Sequence, residues 1–226
     1  MTIHWCGTGL SAIPGLRRLI EAGHEVTVWN RTIDKAQDAV GDLTQRIQVF
    51  DMDALRAELQ AGDVVVSMLP GDWHVPLAEM AIELGAHFVS SSYIAPEMRA
   101  LDASARAAGV VLLNEIGLDP GIDHLMAHHL IETYRASESF DNDAELSFIS
   151  YCGGIPKHPN PFRYKFSWSP LGVLKALRSP SKSIRNFENL DVNRPWDAIS
   201  HYMAPLSTPE SFEVYPNRDS IPFMGQ

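Results

Sequence analysis

The residue of this chain best suited to acid and base chemistry is Asp119. It stands in the turn Asp119-Pro120-Gly121, directly after an apolar pattern typical of a buried strand. In open sheets of parallel strands, ligands lie at the carboxyl ends of the strands, so a carboxylate in this place could hold or transfer a proton beside a bound molecule. The alternative is that Asp119 only fixes its own turn through hydrogen bonds to the backbone.

A second functional pattern is a glycine-rich turn, Gly7-Thr8-Gly9-Leu10-Ser11-Ala12, which fits the dinucleotide fingerprint G-x-G-x-x-G/A. Gly7 permits the tight turn, Gly9 lets the backbone approach a pyrophosphate, and the small Ala12 lets helix and strand pack closely. The phosphates would lie on the N-terminus of the following helix, where free N–H groups favour negative charge. The pattern therefore predicts a dinucleotide site that includes Gly7, Gly9, Leu10 and Ser11.

The residues after the second strand pattern indicate which dinucleotide binds. Sites for NAD usually carry Asp or Glu here to accept hydrogen bonds from the ribose, whereas this chain has Asn30, Arg31 and Thr32. A guanidinium can bind a 2′-phosphate that a carboxylate would repel, so we predict NADP. The alternative is that Arg31 is only a solvated turn residue. Leu69 and Pro70, which end another strand pattern, are predicted to complete the cofactor site.

These motifs lie in a regular alternation of strand and helix patterns. The glycine-rich turn stands between a strand pattern at 2–6 and apolar residues at helical spacing, and the next strand pattern is at 25–30. Further strand patterns alternate with helical ones at 46–51, 63–70, 86–93 and 109–117. Nearly continuous apolar strands between helices indicate a parallel sheet covered on both faces. The predicted fold class is therefore α/β, with a doubly wound parallel sheet of the Rossmann type.

The charge distribution is uneven along this chain, whose formal net charge is −10. Residues 1–122 hold 16 Asp or Glu against 8 Lys or Arg, whereas residues 151–190 hold 7 Lys or Arg and one acid, Glu188. A local basic segment in an acidic protein favours binding of a small anion over nucleic acid, which calls for a broad basic face. The alternative is a merely solvated basic face.

Several other classes of protein and site find no support in the sequence. No apolar run approaches the about 20 residues that span a bilayer, and the first residues lack the features of a signal peptide, so we expect a cytoplasmic protein that binds no membrane. Cys6 and Cys152 are expected to be free thiols. His124, His128 and His129 share a predicted helix without further ligands, so we expect no metal site and assign them to packing or helix capping.

Several long motifs of the chain resemble one enzyme family. They are SSSYIAPEMRALDASARAAGVVLLNEIGLDPGIDHLMA from residue 90, SYCGGIPKHPNPFRYKFSWSPLGVL from residue 150 and VYPNRDS from residue 214. Through nearly its whole length the chain is similar to the NADP-dependent, L-glutamate-forming saccharopine dehydrogenases. The resemblance implies an oxidoreductase of lysine metabolism that acts on a CH–NH bond. Its reaction would interconvert saccharopine with L-glutamate and 2-aminoadipate 6-semialdehyde, with NADP as cofactor.

The resemblance also implies which residues act on the substrate. The catalytic candidates are Asp119, Cys152 and Tyr93. Substrate contacts are expected from Ser92, Tyr93, Phe166, Trp168 and Arg218. Because saccharopine carries three carboxylates, the cations of the segment 149–179 and Arg218 can offset its charge.

Each of these assignments has a plainer alternative. Cys152 could be a small buried hydrophobe, and Tyr93 could be a stacking wall rather than a proton donor. Phe166 and Trp168 could belong to an ordinary core. Arg218 could form a surface salt bridge.

The resemblance predicts two domains, an NADP-binding domain at 1–122 and the N-terminal part of an α+β substrate domain at 123–226. Family members run well beyond 226 residues, so we expect a truncated form or a shortened homologue. Two other functions stay open: a related imine reductase such as a carboxynorspermidine dehydrogenase, and a shortened, non-catalytic nucleotide-binding protein. The expected partners are the small-molecule substrates, and a homodimer is also compatible with the sequence.

Overall fold

The structure is a computed structural model that describes residues 1–205 and 209–225. Contacts divide the chain into two compact units, Met1–Asn160 and Pro161–Gln226. The predicted domains, 1–122 and 123–226, are defined by function rather than by contacts and stay a prediction.

A parallel sheet forms the centre of the first unit. Within residues 1–160, all of them described, its six strands are β1 (Ile3–Cys6), β2 (Val26–Asn30), β3 (Ile47–Val49), β4 (Val64–Ser67), β5 (His87–Ser90) and β6 (Leu112–Leu113). They pair in the order β3-β2-β1-β4-β5-β6, so the strand order reverses between β1 and β4. All of β1 is buried, as in a sheet with helices on both faces. The predicted doubly wound α/β fold is confirmed.

The strands are shorter than the apolar patterns that predicted them. The pattern at 86–93 forms β5, but its last residues leave the sheet as a loop. The pattern at 109–117 contributes only the two residues of β6. In both places the chain becomes polar where the sheet ends, which leaves hydroxyl and carboxyl side chains at the carboxyl-end edge.

Helices pack on the sheet in two separate cores. The first unit contains the helices α1 (Ile13–Glu21), α2 (Ile33–Val40), α3 (Met52–Glu58), α4 (His74–Leu84), α5 (Pro96–Ala100), α6 (Asp102–Ala108) and α7 (Ile122–Arg135), of which α7 has no buried residue. One core joins Leu16 of α1 with Val28 of β2. The other joins Leu77 and Met80 of α4 with Phe88 of β5. Full burial of each such side chain contributes about 1.5–3 kcal/mol, so these contacts hold α1 and α4 close to the strand ends.

The second unit contains one α-helix and two antiparallel strand pairs among its described residues, 161–205 and 209–225. Helix α8 (Pro170–Ala176) begins at Ser169, whose hydroxyl accepts a hydrogen bond from the Gly172 amide. Strands β7 (Ser181–Arg185) and β8 (Glu188–Val192) form one pair, and β9 (Ser200–Ala204) and β10 (Glu210–Val214) form the other. In the described parts of both units, no helix has the length and apolar composition needed to cross a bilayer.

A buried polar cluster lies beside the start of β1. The Nε1–H of Trp29 donates a hydrogen bond to Nδ1 of His4 at 3.1 Å, and Nε2 of His4 lies 3.5 Å from Oδ2 of Asp63. Burial lowers the pKa of His4, although the charge of Asp63 opposes this effect. Burial would raise the pKa of Asp63, but backbone hydrogen bonds from Thr2 and Gln60 and the contact with His4 hold it below its ordinary value. His4 is therefore neutral near neutral pH, with its proton on the nitrogen that faces Asp63.

The free energy of unfolding should decrease as the pH falls below 6.5, the ordinary pKa of histidine. The unfolded chain then binds a proton that the folded chain excludes at His4, and His74 of α4, whose pKa is also lowered by burial, adds to the effect. Each histidine contributes at most about 1.4 kcal/mol per pH unit, between its unfolded and its folded pKa. Urea unfolding at several pH values measures this slope. His4→Gln should reduce it and His24→Gln, at an exposed loop residue, should leave it unchanged; equal slopes in both variants would contradict the assignment.

Candidate functional site

The glycine-rich turn begins where β1 passes closest to the chain that leaves β4. Gly7 has φ +105°, and a Cβ there would lie 2.8 Å from the carbonyl oxygen of Met68 and 3.2 Å from Cδ2 of Leu69. The Gly7 amide donates to the carbonyl of Trp29 at 2.8 Å, which extends the pairing with β2. No side chain fits this position, so the sequence prediction for Gly7 has a direct structural cause. Pro70 then leads into a short 3-10 turn at Gly71–Trp73.

The rest of the turn leaves open the space that a phosphate group needs. A Cβ on Gly9 would meet no atom within 4 Å, whereas Ala12 is 2% exposed and packs in the core. The exposed residues Leu10 and Ser11 lead into α1, whose first turn has no side-chain cap. The hydroxyl oxygen of Thr8 is buried without a hydrogen-bond partner in the described chain. An oxygen-rich ligand over Gly9 would satisfy both the helix amides and this hydroxyl, so the residues fit a dinucleotide.

The end of β2 holds the residues predicted to select the cofactor. Oδ1 of Asn30 accepts a hydrogen bond from the Thr8 amide at 3.3 Å, and its Nδ2 donates to the Thr32 carbonyl at 2.7 Å. Asn30 thus links the glycine-rich turn with the loop that carries Arg31. The guanidinium of Arg31 is exposed and makes no ion pair with any residue that the structure describes. It is therefore available to bind a phosphate.

The three catalytic candidates come together in the first unit. The hydroxyl of Tyr93 donates a hydrogen bond to Oδ1 of Asp119 at 2.6 Å. Partial burial raises the pKa of the Cys152 thiol, and the charge of Asp119 and a hydrogen bond to it raise this pKa further. The residue Cys152 as a whole is nevertheless exposed, so it is not the small buried hydrophobe that was considered as its alternative role. Tyr93 and Cys152 thus share one carboxylate as their partner.

The turn that carries Asp119 is fixed by another carboxylate. Gly121 has φ +144°, and a Cβ there would lie 2.7 Å from the carbonyl oxygen of Glu115. Its amide donates to Oδ1 of Asp123 at 2.7 Å. Asp123 therefore holds the turn, which leaves the carboxylate of Asp119 directed to Tyr93. The position of Asp119 directly after a strand pattern favoured it as the acid/base candidate, whereas no sequence pattern indicated that Asp123 accepts a hydrogen bond from the turn.

A buried histidine that the sequence analysis missed connects two strand ends. Nδ1 of His74 lies 2.8 Å from Oγ of Ser67, at the end of β4, and Nε2 lies 2.8 Å from Oγ of Ser92 in the loop after β5. Its ring packs edge-on to Phe88. The sequence shows only a histidine at the start of an apolar helix pattern. Nothing local in it indicates the two serines as partners.

A cavity of about 460 Å³ opens beside this histidine at the carboxyl-end edge of the sheet. Its lining includes His74, Ser92, Tyr93 and Asn114. Two exposed acids, Asp72 and Glu97, also contribute to its wall. The cavity thus adjoins the pair formed by Tyr93 and Asp119.

The other predicted substrate residues lie in the second unit. Phe166 is half-buried, with its ring centre 5.2 Å from that of Tyr164. Trp168 is 43% exposed and covers Gly172, where a Cβ would lie 2.7 Å from the indole ring. Arg218 adopts φ +55°, and its carbonyl accepts a hydrogen bond from the Lys182 amide at 2.8 Å. The roles of Phe166, Trp168 and Arg218 in substrate binding stay predictions.

Two further sequence features are explained by local contacts. Arg163, one of the cations of the basic segment, forms an ion pair with Glu210 and lies over the ring of Phe212, so its charge is partly balanced within the second unit. His124 on α7 approaches Oδ1 of Asp123 at 3.1 Å. Among the described residues, no group of three His, Cys, Asp or Glu has the arrangement of a metal site.

Comparison with protein families identifies two adjacent domain models in the chain. Residues 5–113 match the saccharopine dehydrogenase NADP binding domain. Residues 117–225 match the saccharopine dehydrogenase C-terminal domain. Together these matches extend over nearly the whole chain.

Individual proteins give the same result. The chain is 37% identical over 227 residues to a saccharopine dehydrogenase [NADP(+), L-glutamate-forming] of Pyricularia oryzae, which covers 96% of this chain and 49% of that protein. It is 37% identical to an alpha-aminoadipic semialdehyde synthase of Arabidopsis thaliana, over 78% of this chain and 17% of that protein. The structure superposes on apo saccharopine dehydrogenase (L-Glu forming) from Saccharomyces cerevisiae with a TM-score of 0.81 and 34% identity, over 99% of this chain and 51% of that one. The chain thus spans about half the length of these dehydrogenases.

Replacing Gly9 by Ala should weaken dinucleotide binding without unfolding the chain. The space above Gly9 is open in the protein alone, so a methyl group there would clash only with a bound pyrophosphate. We expect a dissociation constant for the dinucleotide raised roughly tenfold or more, with an unchanged unfolding midpoint. Fluorescence titration and urea unfolding measure the two quantities. Gly15→Ala, inside α1 with its nearest contact at 3.7 Å, is the matched control; equal affinities of both variants would remove Gly9 from the binding loop.

Proposed function

The chain belongs to the saccharopine dehydrogenase family, and we propose that it acts as an NADP-dependent oxidoreductase on saccharopine. The proposed reaction oxidises the secondary amine of saccharopine and hydrolyses the resulting imine to L-glutamate and 2-aminoadipate 6-semialdehyde, or runs in reverse. The observation that carries the proposal is the hydrogen bond from Tyr93 to Asp119, with Cys152 beside the same carboxylate. It provides an acid/base group at the edge of the sheet where ligands of this fold bind.

In the proposed oxidation a hydride leaves a carbon atom, and protons leave the amine and the attacking water. The chain must provide a group that accepts these protons. NADP, when bound, supplies the acceptor for the hydride that leaves the carbon next to the amine. Oδ1 of Asp119 accepts a hydrogen bond from the hydroxyl of Tyr93 at 2.6 Å. An ionised carboxylate can take the proton of the secondary amine or the proton of the water that attacks the imine carbon. Tyr93 stabilises the carboxylate by donating a hydrogen bond to it.

Cys152 serves this site as a neutral thiol rather than as a nucleophile. Partial burial and the neighbouring charge of Asp119 raise the pKa of its thiol, which is the opposite of the shift that activates a cysteine. A neutral thiol is a weak hydrogen-bond donor to Asp119 and occupies little space. We therefore assign Cys152 to positioning of the carboxylate.

The cofactor assignment rests on the loops after β1, β2 and β4. The open space above Gly9 and the unpartnered hydroxyl of Thr8 would accept the phosphates. Leu10 and Ser11 would border them, Asn30 and Thr32 would hold the ribose side, and Leu69 and Pro70 would border the opposite wall. Arg31 would bind the 2′-phosphate that distinguishes NADP from NAD.

The substrate assignment rests on five predicted residues. Ser92 and Tyr93 line the cavity of the first unit. We propose that Phe166, Trp168 and Arg218 also contact the substrate, with Arg218 on a carboxylate. The homodimer and the cytoplasmic location stay predictions.

A panel of substrates tests the proposed function. Purified chain is mixed with NADPH, glutamate and the semialdehyde, and the absorbance of NADPH is followed. We expect NADPH to be consumed, and to be formed in the reverse direction from saccharopine and NADP. Turnover with a carboxynorspermidine-type imine, but not with saccharopine, would refute saccharopine as the substrate. Binding of NADPH without any turnover would favour a non-catalytic role.

Arg31→Ala should reduce the preference for NADP over NAD. Removing a charge-assisted contact to the 2′-phosphate costs about 1.5–3 kcal/mol, or roughly 10- to 150-fold in NADP affinity. The affinity for NAD should change little, since NAD lacks this phosphate. Calorimetric titration of both cofactors measures the ratio, and Arg18→Ala, at an exposed residue of α1, is the control. Equal affinities for NADP and NAD in the wild type would refute the assignment.

Asp119→Asn should remove most activity while the fold and the cofactor site persist. The amide keeps the shape of the side chain but cannot take a proton, so we expect a fall of roughly 10²-fold or more in kcat/KM and the loss of one limb of its pH profile. Tyr93→Phe should have a smaller effect, because the carboxylate remains. Steady-state kinetics measures both, and NADP affinity is measured separately to exclude a collapsed turn. Normal turnover of Asp119→Asn with an unchanged pH profile would remove Asp119 from the mechanism.

A further inference from the structure

We propose that His74 is a positioning residue that makes the hydroxyl of Ser92 a hydrogen-bond donor to a carboxylate of the substrate. The orientation of the hydroxyl follows from contacts among Ser67, His74 and Ser92 within the first unit. The identity of the ligand rests on the proposed function. The two parts are therefore tested separately.

His74 uses both of its ring nitrogens on serine hydroxyls. Nδ1 lies 2.8 Å from Oγ of Ser67, and Nε2 lies 2.8 Å from Oγ of Ser92. His74 is only 6% exposed and Ser67 is fully buried. Because burial lowers the pKa of His74, the ring is neutral near neutral pH. One nitrogen then donates and the other accepts.

The burial of Ser67 decides which nitrogen carries the proton. Its hydroxyl has no hydrogen-bond partner other than His74 among residues 1–205 and 209–225. If Nδ1 carried the proton, the Ser67 oxygen would accept and its own hydrogen would remain buried without an acceptor, which is unfavourable. If Nδ1 carries no proton, the Ser67 hydroxyl donates a hydrogen bond to it and is satisfied. The second arrangement places the ring proton on Nε2, which faces Ser92.

The proton on Nε2 determines what Ser92 can offer to a ligand. Its oxygen accepts the hydrogen bond from His74, so its own O–H remains available as a donor. Ser92 is partly exposed and lines the cavity of about 460 Å³ beside Tyr93 and Asn114. A hydroxyl donor forms a charge-assisted hydrogen bond with a carboxylate. In the opposite tautomer Ser92 would give its hydrogen to His74 and would present only lone pairs, which repel a carboxylate.

The acidic wall of the cavity makes this donor important. Asp72 and Glu97 are exposed carboxylates of the same lining. These acids repel a substrate carboxylate, which therefore needs a directed hydrogen-bond donor elsewhere in the lining. Ser92, oriented by His74, provides such a donor without adding a charge.

Nitrogen-15 NMR of the labelled chain tests the orientation without any ligand. Correlations between ring protons and ring nitrogens distinguish Nε2–H, Nδ1–H and the charged ring. We expect a single Nε2–H tautomer of His74 near neutral pH, with resonance assignment by comparison with His74→Gln. An Nδ1–H tautomer or a charged ring would overturn the proposal, whatever the enzyme binds.

Two substitutions at His74 test the effect on the substrate. Gln places an amide N–H near the position of Nε2 and can still donate to Ser92, whereas Asn reaches only the position of Nδ1. We expect His74→Asn to raise the Kd of saccharopine roughly tenfold or more and His74→Gln to raise it by about threefold or less. In a Ser92→Ala background, His74→Asn should have no further effect. Calorimetry with NADPH-saturated chain, which cannot oxidise saccharopine, measures the affinities of the wild type, the three single variants and the double variant.

The controls separate this inference from the proposed function. His24→Gln, in an exposed loop, should leave the Kd of saccharopine unchanged. NADPH affinity should be the same in every variant, because a disturbed fold would change it. Equal effects of His74→Asn and His74→Gln, or additive effects of His74→Asn and Ser92→Ala, would overturn the positioning role. A wild-type chain that binds NADPH but no saccharopine would refute the proposed function and the ligand named here, while the tautomer would still decide the orientation of Ser92.

Discussion

The close approach of Gly7 to the carbonyl of Met68 is the constraint on which the rest of the site depends. Strand β1 pairs with β2 and β4 at once, and the strand order reverses at this point. The chain can leave β1 here only with a positive φ and without a side chain, since a Cβ would lie 2.8 Å from the Met68 oxygen. This geometry sends the following residues over the sheet edge and places the start of α1 above it. The polar groups of the other loops are arranged around this crossing.

The loops after β4 and β5 are joined by side chains rather than by strand pairing. Ser67 lies at the end of β4 and Ser92 follows β5, and both contact the ring of His74. The next loop is attached by its backbone, because the Glu115 amide donates to the Ser92 carbonyl at 3.1 Å. This bond brings the turn of Asp119 toward Tyr93. The acid/base pair is therefore held by hydrogen bonds that originate in three neighbouring strand ends.

Sequence reasoning was successful where one residue has one local cause. Gly7 and Ala12 each have such a cause, because a Cβ at Gly7 would lie 2.8 Å from the Met68 oxygen and Ala12 packs in the core. Cofactor binding at Gly7 and Gly9 stays a prediction. The doubly wound sheet was predicted because buried strands alternate with helices. The helical pattern between the strand patterns at 86–93 and 109–117 was less informative, since this segment forms two helices, α5 and α6, with a break at Leu101. Apolar spacing did not reveal that break.

The unpredicted part of the site depends on contacts distant in sequence. His74 meets Ser92 across 18 residues, and neither residue type is unusual at its position. His4 illustrates the same limit at the start of β1, because its partners Trp29 and Asp63 come from two other parts of the chain. Both histidines are buried and neutral, yet their consequences differ. The Nε2–H of His4 faces a buried carboxylate and can only affect stability, whereas the Nε2 of His74 faces a serine that borders a cavity. The position of a buried imidazole relative to the sheet edge, rather than its burial, decides whether its proton matters for binding.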